Sequence, residues 1–121
     1  APRDGAEPQM QAARPRLDPR VAVAIARMER QLDSPEPIAT LARNLGLSAR
    51  RLESLFTAAL NQSPAAYALD LRLAAARRLI TDTHHPLAEV ALRTGFSSHS
   101  TLSRAFSRHF GQPPSSLRKH N

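Results

Sequence analysis

Two short runs in this chain of 121 residues concentrate side chains built for outward hydrogen bonding. The first holds Arg50, Arg51, Glu53 and Ser54, and the second holds His99, Ser100, Ser103, Arg104 and Arg108. A guanidinium offers several donors in a planar fork that fits a phosphate or the edge of a guanine, while hydroxyl, imidazole and carboxylate groups add donors and acceptors of shorter reach. This is the chemistry of recognition rather than of bond breaking. Ser, His and Asp all occur, yet no strand-turn-helix setting for a nucleophile appears. Gly is too sparse, at four residues, for a phosphate-cradling loop. Of His84, His85, His99, His109 and His120, the adjacent pair falls in a predicted turn between helices, where contact with solvent or phosphate suits it better than a metal. No catalytic residue, cofactor or metal site is expected.

The elements that carry these runs repeat. From Pro37 the chain reads PIATLARNLGLSARRLESLFTAALNQSP, and from Pro86 it reads PLAEVALRTGFSSHSTLSRAFSRHFGQPP, with Pro, Ala, Gly, Leu, Phe and Gln recurring in register. Gly46 and Leu52 are six positions apart and Gly95 and Leu102 seven, so the second copy carries one extra residue just after its glycine. The insertion falls in a turn, where it is best tolerated.

Each copy predicts a helix, a tight turn and a second helix. In the first, Ile38, Leu41, Ala42 and Leu45 keep the spacing of a one-sided helix, and Pro37 suits a first helical position because it has no N–H to leave unpaired. Gly46 follows, where a helix commonly exits through left-handed backbone. Ser48 then caps a second helix whose apolar face is Leu52, Leu55, Phe56 and Leu60. The second copy repeats this logic, with Pro86 as first helical residue, through Leu87, Val90 and Ala91 to Gly95 and Phe96, with Ser97 or Ser98 as cap, and then to Leu102, Ala105, Phe106 and Phe110. A polar outward face on the second helix of such a pair is the shape that enters a DNA major groove.

Ser63 and Pro64 read as cap and first residue of a long connecting helix that runs to about Thr81 without interior Gly or Pro. It carries two apolar stripes, one of Tyr67, Leu71 and Ala74 or Ala75, the other of Leu69, Leu73, Ala76 and Ile80. Two stripes need neighbours on two sides, so this rod is expected to dock one helix pair on each flank. Upstream, Asp18 and Pro19 open a further amphipathic helix marked by Leu17, Val21, Ile25 or Ala24, Met28 and Leu32. Downstream, Pro113 to Lys119 reads as a last short helix, with Leu117 standing where Tyr67 stands in the first copy. The fold class expected is all-α, about seven helices, with two helix-turn-helix subdomains joined by a long helix. Residues 1–16 read as linker, 17–62 as the first subdomain, 63–82 as the connecting helix and 83–121 as the second subdomain.

From about Asp18 to Lys119 the chain resembles the DNA-binding domain of the AraC/XylS family of bacterial transcription regulators. The residues that carry the resemblance are RLAAARRLI at Arg72 to Ile80, PLAEVALRTGF at Pro86 to Phe96, SRAFSRHFGQPP at Ser103 to Pro114, and Arg118. The resemblance implies seven helices and recognition helices over about Ser48 to Leu60 and Ser98 to Phe110. It implies base-facing positions at Arg50, Glu53 and Ser54, and at His99, Ser100, Thr101, Ser103 and Arg104. Phosphate-facing positions fall on Asn44, Ser48, Asn61, Arg93, Ser98 and Arg108. Glu53 and Ser54 depart from the longer amide and basic side chains often found there, which shifts base reading toward Arg50 or Arg51. Double-stranded DNA, RNA polymerase and a sensor domain ahead of this segment are the partners implied, with activation of transcription as the outcome and the cytoplasm as the location. The stretch from Arg20 to Phe56 looks like the subgroup whose sensor resembles a class I glutamine amidotransferase.

Composition agrees. Net charge is +7, which favours a polyanionic partner, although Lys119 is the only lysine and Arg and Ala enrichment is also what a base-composition bias in a genome produces. Zero cysteines exclude disulfides and thiolate metal sites. They also exclude the chemistry of a bacterial alkylation-repair protein that pairs this kind of domain with a methyl-accepting cysteine. No apolar run is long enough to span a bilayer, and the candidate helices lack aromatic anchors for a membrane surface. The remaining rival is a helical protein-interaction module, which should expose an apolar patch where the arginines are expected.

Overall fold

The computed structural model describes residues 17–118, and every regular element among them is helical. The linker expected over residues 1–16, together with Lys119 and His120, lies outside the described residues. Helix α1 is Pro19–Arg30, α2 is Ile38–Asn44, α3 is Ala49–Leu60, α4 is Pro64–Asp82, α5 is Leu87–Arg93 and α6 is His99–Phe110. A 3-10 helix over Pro114–Arg118 closes the chain. The seventh helix expected from the sequence is therefore this single tight turn.

Local chemistry places most of the boundaries. Side chains of Asp18, Ser48, Ser63 and Ser98 each accept a backbone N–H in the first turn of α1, α3, α4 and α6, satisfying one of the orphan donors there. Pro37 and Pro86 sit one residue earlier than the sequence suggested. With ψ of 146° and 147° they are extended N-cap residues rather than first helical ones, and their carbonyls accept from Leu41 and Val90 at 2.9 and 3.0 Å. A proline φ suits both positions; ψ decides between them, and here the chain arrives extended.

The two turns are built alike. Gly46 and Gly95 have φ of +73° and +84°. Gly46 N–H donates to Arg43 O and Leu47 N–H to Ala42 O; Gly95 N–H donates to Leu92 O and Phe96 N–H to Ala91 O. This is the double bond of a Schellman exit, which redirects the chain after one residue in left-handed backbone.

Two apolar clusters form the core, one per copy. Val21, Ala24, Leu41, Ala42, Leu52 and Phe56 are buried together in the first. Leu73, Ala76, Ile80, Val90, Ala91, Phe96, Leu102 and Phe106 form the second. Full burial of one such large side chain is worth about 1.5–3 kcal/mol, so each copy has its own stabilising centre. Helix α4 serves them unequally. Tyr67 meets the edge of Phe56 in the first cluster, with ring centroids 5.9 Å apart, whereas Leu69, Leu73, Ala76, Leu79 and Ile80 all face the second. Of the alternatives at the stripe's end, Ala75 is buried and Ala74 exposed. Leu117 packs on the second cluster as Tyr67 does on the first. Arg118 ties the terminal turn back to α4, donating to Ile80 O at 3.0 Å, Thr83 O at 3.0 Å, His85 O at 2.5 Å and Leu79 O at 3.5 Å. A cation on the last carbonyls of a helix also opposes the negative end of its dipole.

Candidate nucleic-acid interface

Helical geometry turns one face of α3 and of α6 outward. In α3, Leu52 and Phe56 are fully buried, and Arg50 and Ser54, two residues to either side of Leu52, stand about 200° around the helix from it. Arg50, Arg51, Glu53 and Ser54 are all exposed. In α6, Leu102 and Phe106 take the inward role and Ser100 and Arg104 occupy the corresponding outward row. Ser100, Arg104, His99 and Arg108 are exposed, while Thr101 and Ser103 are half-buried. The same outward row continues to exposed Thr57 in α3 and half-buried Ser107 in α6. Sequence reasoning passed over both, although the helical period that marked Arg50 and Arg104 extends to them.

The two copies place their charge differently on this shared frame. Position for position, Arg50 answers to Ser100 and Arg51 to Thr101, while Arg104 and Arg108 answer to Ser54 and Ala58. Helix α3 thus carries its cations in its opening turn, and α6 carries them one and two turns further along. Thr101 is half-buried, and its hydroxyl already has neighbours within its own helix start. Its Oγ1 lies 3.0 Å from Ser98 Oγ and 3.3 Å from Ser97 Oγ, in a hydroxyl cluster at the start of α6.

Asn44 and Arg93, expected at phosphate, occupy equivalent places at the ends of α2 and α5 and each holds a carboxylate of its own unit. Asn44 Nδ2 donates to Glu36 Oε2 at 2.7 Å, and Arg27 grips the same carboxylate with Nε at 3.1 Å and Nη2 at 2.7 Å. The Arg27 guanidinium holds the Glu36 carboxyl below its ordinary range, with help from Asn44 and against a partial loss of solvent. Arg93 Nε and Nη2 lie 2.7 and 2.6 Å from Glu89 Oε2, and that contact is the main reason the Glu89 carboxyl is also lowered. His85 Nδ1 approaches the same carboxylate at 3.6 Å. Among the described residues no three acidic or histidine side chains gather in a way that could hold a metal ion.

Ser48 and Ser98 are exposed caps whose oxygens accept from Arg51 and Thr101 N–H at 3.0 and 3.1 Å. Asn61 ends α3 in left-handed backbone, φ +56°, and Gly111 does the same for α6 at +79°. Asn61 therefore stops a helix as well as presenting an exposed amide. Near the start of α1, Arg20 donates side-chain and backbone hydrogen bonds to Asp18 and brings its carboxyl from 3.8 to about 2, with a smaller attraction from Arg51 across on α3.

Known proteins share this fold. A family model described as a helix-turn-helix domain matches residues 41–120. The transcriptional regulator GbdR of Pseudomonas aeruginosa is 38% identical over 96 residues, covering 79% of this chain and 26% of that protein. The chain spans about a quarter to a third of the length of the curated relatives it matches. A crystal structure of an AraC-type DNA-binding domain-containing regulator from Chromobacterium violaceum superposes with TM-score 0.77 at 34% identity, covering 84% of this chain and 90% of that one. The DNA-binding domain of AdpA, solved with a target DNA, superposes with TM-score 0.78 at 27% identity, covering 83% and 90%. With its duplicated helix-turn-helix, its connecting helix and these likenesses, the chain belongs to the AraC/XylS family of transcription regulators and corresponds to its DNA-binding domain.

Proposed function

We propose that one copy of this domain seats α3 and α6 in successive major-groove segments on one side of a DNA duplex, about one helical turn or ~34 Å apart. Arg50 and Arg51 read bases at one segment, and Arg104, with His99 and Ser100, reads them at the other. Glu53, Ser54 and Ser103 line the same groove-facing surfaces, and Thr101 supports the start of α6. Asn44, Ser48, Asn61, Arg93, Ser98 and Arg108 attend the flanking phosphates, which set register rather than sequence. Asn44 and Arg93 arrive there already oriented by Glu36 and Glu89.

The observation that carries this reading is the paired outward row, Arg50 with Ser54 and Ser100 with Arg104, each exposed on a helix whose opposite face is locked into its own core. A protein-docking module would need apolar surface there. Among the described residues the large apolar side chains left exposed are Leu17, Val23 and Leu92, and none lies on α3 or α6. Transcriptional activation through RNA polymerase, control by a sensor domain and action in the cytoplasm accompany the family and belong to the same proposal. No helix among the described residues is long and apolar enough to cross a membrane.

Selection of bound sites from random duplexes tests the reading. The expected result is an asymmetric pair of segments about one turn apart, with log affinity falling steeply against log salt. Recovery of a palindrome, or affinity indifferent to salt, would overturn it.

A further inference from the structure

Gly46 and Gly95 hold the same place in the two turns but meet different surroundings. A Cβ at Gly46 would find nothing within 4 Å. At Gly95 it would lie 2.5 Å from the Leu32 carbonyl oxygen, 3.0 Å from Pro35 Cδ and 3.0 Å from Arg72 Nε. Leu32 and Pro35 belong to the connection between α1 and α2 in the first unit, Arg72 lies midway along α4, and Gly95 is the turn that aims α6. The junction therefore joins both units and the rod at one point. Arg72 locks it, donating from Nε to Thr94 O at 3.1 Å and from Nη2 to Gly95 O at 3.0 Å, with its guanidinium carbon 4.4 Å from the centre of the Phe96 ring. Partial burial lowers the Arg72 pKa, but an arginine stays charged, so this is a permanent clamp and not a proton switch.

We infer that Arg72 is a positioning residue, and that the clasp it closes on Gly95 fixes the angle between α3 and α6 and so selects the spacing of the two DNA segments. This rests on the DNA-binding reading above. The carbonyls it grips are those of the second turn itself, so loosening them re-aims a whole recognition helix while its bases-facing side chains stay in place. A flexible joint would admit several spacings at the entropic cost of ordering on DNA; a clamped one admits one.

Two measurements test it. In the first, Cys replaces exposed Ala39 on α2 and Ala88 on α5, equivalent positions outside the proposed contacts, in a chain that has no other cysteine, and spin labels report the distance between units without DNA. The parent should give one narrow distribution, and Arg72→Lys and Gly95→Ala broader or shifted ones. Gly46→Ala, which meets the same backbone strain but no neighbour, should leave it narrow. In the second, duplexes carrying the selected site with its spacing changed in single base-pair steps are compared with each segment alone. The variants should bind single segments like the parent, while the affinity ratio between the best and the next spacing falls ~5-fold or more. Arg72→Lys keeps the charge and stem, so intact single-segment binding certifies folding. Unchanged distances and an unchanged spacing optimum, or equal effects of Gly46→Ala and Gly95→Ala, would overturn the clasp. Absence of DNA binding by the parent would overturn the functional reading, and the distance measurement would still judge the clasp.

Discussion

At the scale of single residues, α3 and α6 differ in which outward positions are charged, and this separates reading from holding. Arg104 stands in the central outward row, so Arg104→Ala should cost about 1–3 kcal/mol at the selected site and relax preference at one base step. Arg108, one turn further along and off that row, should on replacement by Ala weaken binding to all sequences and flatten the salt slope. Competition titrations against selected and random duplex check both, and equal losses for Arg104→Ala on the two would make it a phosphate clamp instead. Asn61 has two candidate roles that one substitution divides. Asn61→Gly keeps the left-handed stop and should leave the melting temperature unchanged or slightly raised, while removing the amide should weaken DNA binding of any sequence. Unaltered affinity would leave Asn61 a helix terminator alone.

At the scale of elements, what the sequence made legible was what neighbours in the chain decide. Asp18, Ser48 and Ser63 were readable as caps because a cap acts within three residues, while the cap of α6 was open between Ser97 and Ser98 and falls on Ser98; Gly46 and Gly95 were readable as helix exits because their bonds close within the turn. Pro37 and Pro86 were misplaced by one residue because the proline ring sets φ and leaves ψ open. The surroundings of Arg72, Gly95 and Arg118 were not legible, since their partners lie in distant elements: Leu32 and Pro35 for Gly95, the C-terminal carbonyls of α4 for Arg118. The outward faces of α3 and α6 could be read from their period, but the engagement of Asn44 by Glu36, from the connection before α2, could not. Arg118→Ala should fray the end of α4 and cost about 1.5–3 kcal/mol, the range for hydrogen bonds to a charged group. Thermal denaturation and amide exchange at Leu79 to Thr83 measure it, and unchanged protection there would mean the carbonyls are satisfied by water.

At the scale of the whole molecule, three carboxylates fasten separate parts: Asp18 the start of α1, Glu36 the joint of α1 with α2, and Glu89 the helix α5. All three pKa values are lower in the folded chain, so the unfolded state binds more protons in acid. Their contribution is complete above the ordinary carboxyl range and drains away as pH falls through the depressed values, last for Asp18 at about 2. Stability measured by denaturant titration should fall with pH across that acid window, and Glu36→Gln should make the fall shallower. An identical slope in the variant would show that Glu36 titrates alike in both states. The duplication gave the molecule two similar halves, yet the wedged turn makes them unequal under mutation. Four described residues occupy left-handed backbone: Gly46, Asn61, Gly95 and Gly111. A library randomised at each, selected for binding the paired segments at their native spacing, should tolerate asparagine at three of them and reject even a methyl group at Gly95, so the two halves, though cut from one pattern, are no longer interchangeable parts.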